Sequence, residues 1–110
     1  MKVARWDAAA ARFSAEKLAK VPLFASERFF LDLYCLEPGQ SQKAHAHAGS
    51  DKVYLVVAGR GVFAVGDEER ALGPGEGTFA PSGVVHGVRN DSRERLVVLT
   101  WMSPPPGSAS

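Results

Sequence analysis

The sequence predicts an all-β domain, a compact β-sandwich or barrel preceded by a short N-terminal helical segment. Three observations carry this. From Arg28 onward the apolar residues come in six or seven short runs, each closed by Gly, Pro, Asn or Asp. Helix signals stop at Pro22. The 11 glycines punctuate these runs instead of forming a phosphate loop.

The runs are Arg28–Leu36, closed by Pro38-Gly39, then Val53–Ala58, stopped by Gly59, and Gly61–Val65 before Gly66-Asp67. Arg70–Leu72 ends at Gly73-Pro74-Gly75 and Gly77–Ala80 at Pro81-Ser82-Gly83. Val84–Val88 is followed by Asn90-Asp91, and Leu96–Met102 is the last. Runs of this length fit strands, whose side chains alternate between two faces. Residues 7–20 read as a short helix that Asp7 caps, Ala8–Ala11 favour and Pro22 ends. The expected organisation is an N-terminal segment over 1–25, a barrel over 26–102 and a flexible Pro-rich tail over 103–110. Gly59-Arg60-Gly61 lacks the third glycine and the helix of a dinucleotide fingerprint.

The 110 residues suffice for one core. A net charge of +1, with no basic run interleaved with aromatics, argues against nucleic acid or anionic lipid as partner. No apolar run approaches the roughly 20 residues that span a bilayer. A single cysteine, Cys35, excludes an intrachain disulfide and suits a reducing compartment. The expected location is the cytoplasm and the expected state of Cys35 a buried thiol.

Chemistry concentrates in the only three histidines, His45, His47 and His86. On an extended strand His45 and His47 share one face, and a neighbouring strand can bring His86 opposite them. Three neutral imidazoles suit a divalent transition metal (Zn, Fe, Mn, Ni or Cu) and leave coordination positions open. No G-x-S-x-G occurs, and the acids fall in turns, so serine hydrolysis and paired-carboxylate glycoside chemistry are unsupported.

The frame around the histidines is specific. The stretch with Gly39, His45, His47, Asp51 and Gly59 is similar to the pattern of a glycine, five residues, H-x-H, three or four residues, an acid, six residues and a glycine. Gly75, Pro81, Gly83, His86 and Asn90 follow G-x5-P-x-G-x2-H-x3-N at every fixed position. From about Leu31 to Met102 the chain therefore resembles the cupins. The resemblance implies a jelly-roll-like β-barrel with the metal inside, and pairing as homodimers through sheet edges with the N-terminal segment reaching across. It also implies a small-molecule ligand or substrate. Related single-domain cupins include dioxygenases, isomerases and decarboxylases. A dioxygenase- or isomerase-like metal enzyme is the first expectation, and a metal-free module binding an anion or sugar is the alternative.

One position departs from the family. The fourth ligand is commonly Glu, sometimes Gln, and the position separated from Gly59 by six residues is Lys52. A protonated lysine has no lone pair and repels a dication. Three outcomes stay open. Lys52 swings outward and leaves a three-histidine shell, Asp51 takes the ligand role, or the site is metal-free with Lys52 in an anion or proton-transfer pocket. If Lys52 points inward, Tyr54 and Val56 share its face, and Lys52 and Tyr54 become substrate-binding candidates. Phe29, Phe30, Phe63, Phe79, Trp101 and Met102 read as core or dimer interface in preference to a hydrophobic mouth. Asn90 reads as a turn brace, and Asp67–Arg70 as a solvated hairpin tip.

Overall fold

The computed structural model describes residues 1–106, which form nine strands. These are β1 (Ala19–Ala25), β2 (Phe30–Leu36), β3 (Ser41–His45), β4 (Asp51–Ala58), β5 (Gly61–Val65), β6 (Glu68–Leu72), β7 (Gly77–Ala80), β8 (His86–Arg89) and β9 (Leu96–Ser103). One antiparallel sheet runs β1-β2-β9-β4-β7 and the other β3-β8-β5-β6. Each run expected from Arg28 onward lies on a strand, with ends shifted by a few residues.

Alternation divides the five-stranded sheet into two faces. Tyr34 and Leu36 of β2, Tyr54 and Val56 of β4, and Leu96 and Val98 of β9 point inward. There they meet Phe63, Leu72 and Val88 from the second sheet. Burying each large apolar side chain contributes about 1.5–3 kcal/mol, so this cluster is the main stabilising layer. On the outer face Leu33, Cys35 and Val97 are buried under Ala10, Ala11 and Phe13.

That covering segment corrects the expected helix over 7–20. Asp7 does cap, its Oδ1 accepting from the Ala9 amide at 3.2 Å, but only Ala8–Ala10 wind, as a 3-10 turn. A helix this short cannot recover its nucleation cost, and its apolar residues are better buried flat on the sheet. Ala19 and Lys20 belong to β1, and Pro22 lies within that strand. Proline is tolerated there because β1 is an edge strand. Strand β3 is absent from the expected runs, because Ser-Gln-Lys-Ala-His carries no hydrophobic signal. Glu68–Arg70, expected at a hairpin tip, are exposed residues of β6, and Glu69 bridges Arg89 at 3.0 Å. At the C-terminus Ser103 still belongs to β9 and Ser50 Oγ donates to the Pro104 carbonyl. The last four residues of the expected tail lie outside the described residues.

Two motif glycines separate strain from collision. Gly39 and Gly59 both have positive φ, +87° and +79°. A Cβ on Gly39 meets nothing within 4 Å, whereas one on Gly59 runs into the Arg95 carbonyl. Gly39→Ala is therefore expected to cost about 1–2 kcal/mol from backbone strain alone. Gly59→Ala should cost clearly more, above about 2 kcal/mol. Urea unfolding of the two variants checks the order, and equal costs would contradict it.

Candidate metal centre

The three histidines meet where β3 pairs with β8. His45 and His86 are direct register partners. Their rings lie 4.5 Å apart, and that of His47 lies 4.5 Å from His45 and 5.8 Å from His86. One ligand atom from each falls within 4.8 Å of the others. His47 stands beyond the end of β3 instead of on it. The pair thus converges across a strand end, not along one regular strand.

Hydrogen bonds set the tautomers. His45 Nδ1 lies 2.7 Å from the Lys43 carbonyl and His86 Nδ1 lies 2.8 Å from that of Val84. A carbonyl only accepts, so each Nδ1 carries a proton, and in the neutral ring Nε2 is then the nitrogen with the lone pair. His86 Nε2 is buried and has no hydrogen-bond partner among the described residues. Burial, and then the positive field of Lys52, help hold His86 below the usual imidazole range, against the pull of its bond to Val84. Burial lowers His47 as well, followed by His45, Lys52 and Lys20. Neutral imidazoles with converging lone pairs, one of them otherwise orphaned, are the donor set a divalent first-row metal takes.

Residues 32–102 match the Cupin domain family. The chain belongs to that family. The cupin fold extends to solved structures. A Thermus thermophilus protein, TT1209, is 48% identical and superposes with a TM-score of 0.93, over 96% of this chain and 100% of that one. Among curated proteins, the dimethylsulfoniopropionate lyase DddQ of Ruegeria pomeroyi is 30% identical over 71% of this chain and 39% of its own length. An oxalate-binding protein of Thermotoga maritima is 29% identical over 77% of this chain and 69% of its own. The chain thus spans well under half the length of DddQ.

Beside the histidines the barrel interior holds Lys52. It points into the barrel and is 1% exposed, so the expectation that it swings outward does not hold. Its Nζ sits 5.0 Å from the Tyr34 ring centre and 5.1 Å from that of Tyr54, a pair of cation–π contacts. Gln42 Oε1 accepts from it at 3.4 Å. Burial, with Lys20 adding repulsion and Asp32 opposing, lowers its pKa to about 7. Asp51 stands outside the histidine group: it is exposed, and its Oδ1 accepts from the Ser82 amide at 3.0 Å, pinning the turn before β8.

Tyr54 is fully buried, its ring 6.1 Å from His86, and its hydroxyl donates to Gln42 Oε1 at 2.7 Å. Burial and Tyr34 push its pKa up, so it stays a neutral donor. Gln42 ties Lys52, Tyr54 and Tyr34 together, donating from Nε2 to the Tyr34 hydroxyl at 3.4 Å. Sequence reasoning missed both Gln42 and Tyr34. Gln42 stands three residues from His45, and simple alternation puts such residues on opposite faces. The register shift between them brings both to this site.

Other expectations resolve plainly. Asn90 is buried, donates from Nδ2 to the Leu36 and Glu94 carbonyls and accepts from Ser92 through Oδ1, as a turn brace should. Cys35 is buried, and burial raises its pKa. Phe63 and Met102 are interior, whereas Phe79 and Trp101 are exposed.

Lys52 has a consequence for stability. Its folded pKa is depressed from 10.5 to about 7, so the unfolded chain binds the proton more tightly. Below about pH 7 both states are charged and the full burial cost stands. As pH rises towards 10.5 the folded state is increasingly favoured, by up to about 1.4 kcal/mol per unit of depression. Lys52→Met in metal-free protein is expected to raise stability at pH 6 and to flatten its rise between pH 7 and 10. Chemical unfolding across that range is the measurement, and an unchanged slope would contradict the assignment.

Proposed function

We propose that this cupin is a metal-dependent protein acting on a small organic molecule, with His45, His47 and His86 as the metal ligands. The observation that carries this is the protonation pattern. Two backbone carbonyls commit His45 and His86 to Nδ1–H, and the buried Nε2 of His86 has no hydrogen-bond partner among the described residues, which leaves it open to an ion. A bound divalent metal would supply Lewis-acid polarisation of a ligand oxygen at its open positions, or redox chemistry with a redox-active ion. The chain's own residues would do the rest. Lys52, with a pKa near neutrality, can hold or release a proton inside the barrel, and Gln42 fixes it against Tyr54. These roles fit a dioxygenase- or isomerase-like reaction, with Lys52 and Tyr54 contacting the substrate.

A second reading has its own observation. A buried ammonium with one long hydrogen bond favours a non-catalytic barrel that takes an anion or sugar without metal. The description of the Thermotoga maritima relative as oxalate-binding supports that reading. Elemental analysis of protein purified without added metal separates the two. The metal reading expects stoichiometric metal that is lost in His45→Ala and His86→Ala, both still folded by circular dichroism. It also expects Lys52→Glu to restore a fourth donor and tighten metal binding about tenfold, about 1.4 kcal/mol. Metal-free wild-type protein would overturn it.

We also infer a homodimer. The outer face of the five-stranded sheet carries Leu55, Phe79 and Trp101 at 45, 51 and 37% exposure, with Val53 pairing both Phe79 and Trp101. Val3 and Trp6 of the N-terminal segment are exposed too. A second copy of the chain would bury both sets at once. Among the described residues no helix is long and apolar enough to cross a membrane, and the lone buried Cys35 agrees with a cytoplasmic setting. Trp101→Glu combined with Phe79→Glu is expected to yield a monomer by light scattering, while a wild-type monomer would refute the dimer.

A further inference from the structure

The two sheets part between the edge strands β1 and β3, and the gap is a cavity of about 620 Å³. That is a size that suits a small organic molecule. Lys17, Leu18 and Lys20 line one side, and Gln42 and Lys43 the other. No carboxylate lines it among the described residues. In a chain with 13 basic and 12 acidic residues, three lysines around one acid-free cavity are a marked segregation of charge. All three are exposed, and among the described residues none forms an ion pair with a carboxylate.

The floor of the cavity extends the pattern inward. Gln42 has its oxygen committed to Lys52 and Tyr54, and one amide hydrogen directed at the Tyr34 hydroxyl. Its second N–H is left as a donor. Directly behind stands the buried ammonium of Lys52, whose only hydrogen bond among the described residues is the 3.4 Å contact to Gln42. The Lys20 ammonium lies 5.1 Å from the centre of the Tyr34 ring, which Lys52 also contacts at 5.0 Å. Among the described residues the acid whose charge acts on Lys52 is Asp32, and it also interacts with Lys20. Rim and floor therefore offer donors and four lysines against the one carboxylate of Asp32, with Leu18 as an apolar wall.

We propose that this seam is a binding site for a small organic oxyanion carrying at least two negative charges. Lys17, Lys20 and Lys43 hold its charged groups at the rim, and Gln42 backed by Lys52 receives it at the floor. The site opens beside β3, the strand that also carries His45, and it stands whether or not the histidines hold a metal.

Isothermal titration with citrate and with inorganic phosphate, using glycerol as an uncharged control, tests the proposal. It is run on metal-loaded and on chelator-treated protein, and metal content is read separately, so that loss of the metal reading is not mistaken for loss of this site. Binding of either anion should weaken with added salt and fall about tenfold or more in Lys20→Gln combined with Lys43→Gln. Lys2→Ala should leave it unchanged. Both lysines of the double variant are exposed, so the barrel should stay folded, with metal content unaltered. Preference for citrate would mark a polycarboxylate ligand and preference for phosphate a phosphorylated one, each supporting the site. Equal binding by the double variant, equal binding of glycerol, or no binding of either anion at millimolar concentration would overturn it.

Discussion

One extra residue in β3 sets the geometry of the whole site. Gln42 pairs with Val88 and His45 pairs with His86, so three steps along β3 match two along β8. This is the mark of a β-bulge, which interrupts the ladder locally and re-aims side chains. Without it, Gln42 and His45 would face opposite sides of the sheet. With it, His45 meets His86 while Gln42 reaches Tyr54 and Lys52. The histidine cluster and the polar group that organises the barrel interior therefore depend on a single local irregularity.

The interior is graded along its length. At one end Leu36, Phe63, Leu72 and Leu96 pack with no polar atom among their side chains. Further on, Tyr34 and Tyr54 introduce hydroxyls, and beyond them come Gln42, Lys52 and the histidines. Each polar group relies on the one before it. The tyrosine rings make burial of an ammonium tolerable through their π-faces, and Gln42 supplies its oxygen. The ammonium in turn disfavours protonation of His47 and His86, keeping them in the form that can ligate. A buried lysine thus adds to the effect of burial in keeping these two imidazoles unprotonated.

How far this was legible in the sequence varies by feature. The apolar strands β2 and β4–β9 were readable because apolar runs and turn residues agreed. The histidine set was readable because motif spacing tied His86 to His45 and His47. Strand β3 and the role of Gln42 were not, because a polar edge strand leaves no hydrophobic period and a bulge breaks parity. The N-terminal alanines misled for a related reason. Propensity favours a helix there, yet Leu33, Cys35 and Val97 need cover, and tertiary burial outweighs the small intrinsic preference. Lys52 was recognised as a departure, but its direction could not be read, since alternation gives a face only relative to a neighbour of known orientation.

The two faces of the five-stranded sheet explain why so small a chain can hold so polar an interior. A buried lysine and an orphaned imidazole both cost stability, and one core of nine residues is a modest reserve. The outer face adds a second apolar layer, where Ala10, Ala11 and Phe13 lie over Leu33, Cys35 and Val97. Phe13 is itself covered by the Arg95 guanidinium, 4.5 Å from its ring centre, which is held by Glu37 at 2.8 Å. The N-terminal segment therefore does more than lead into the barrel. By stabilising the sheet from outside, it frees the inner face of the same strands for groups chosen for chemistry.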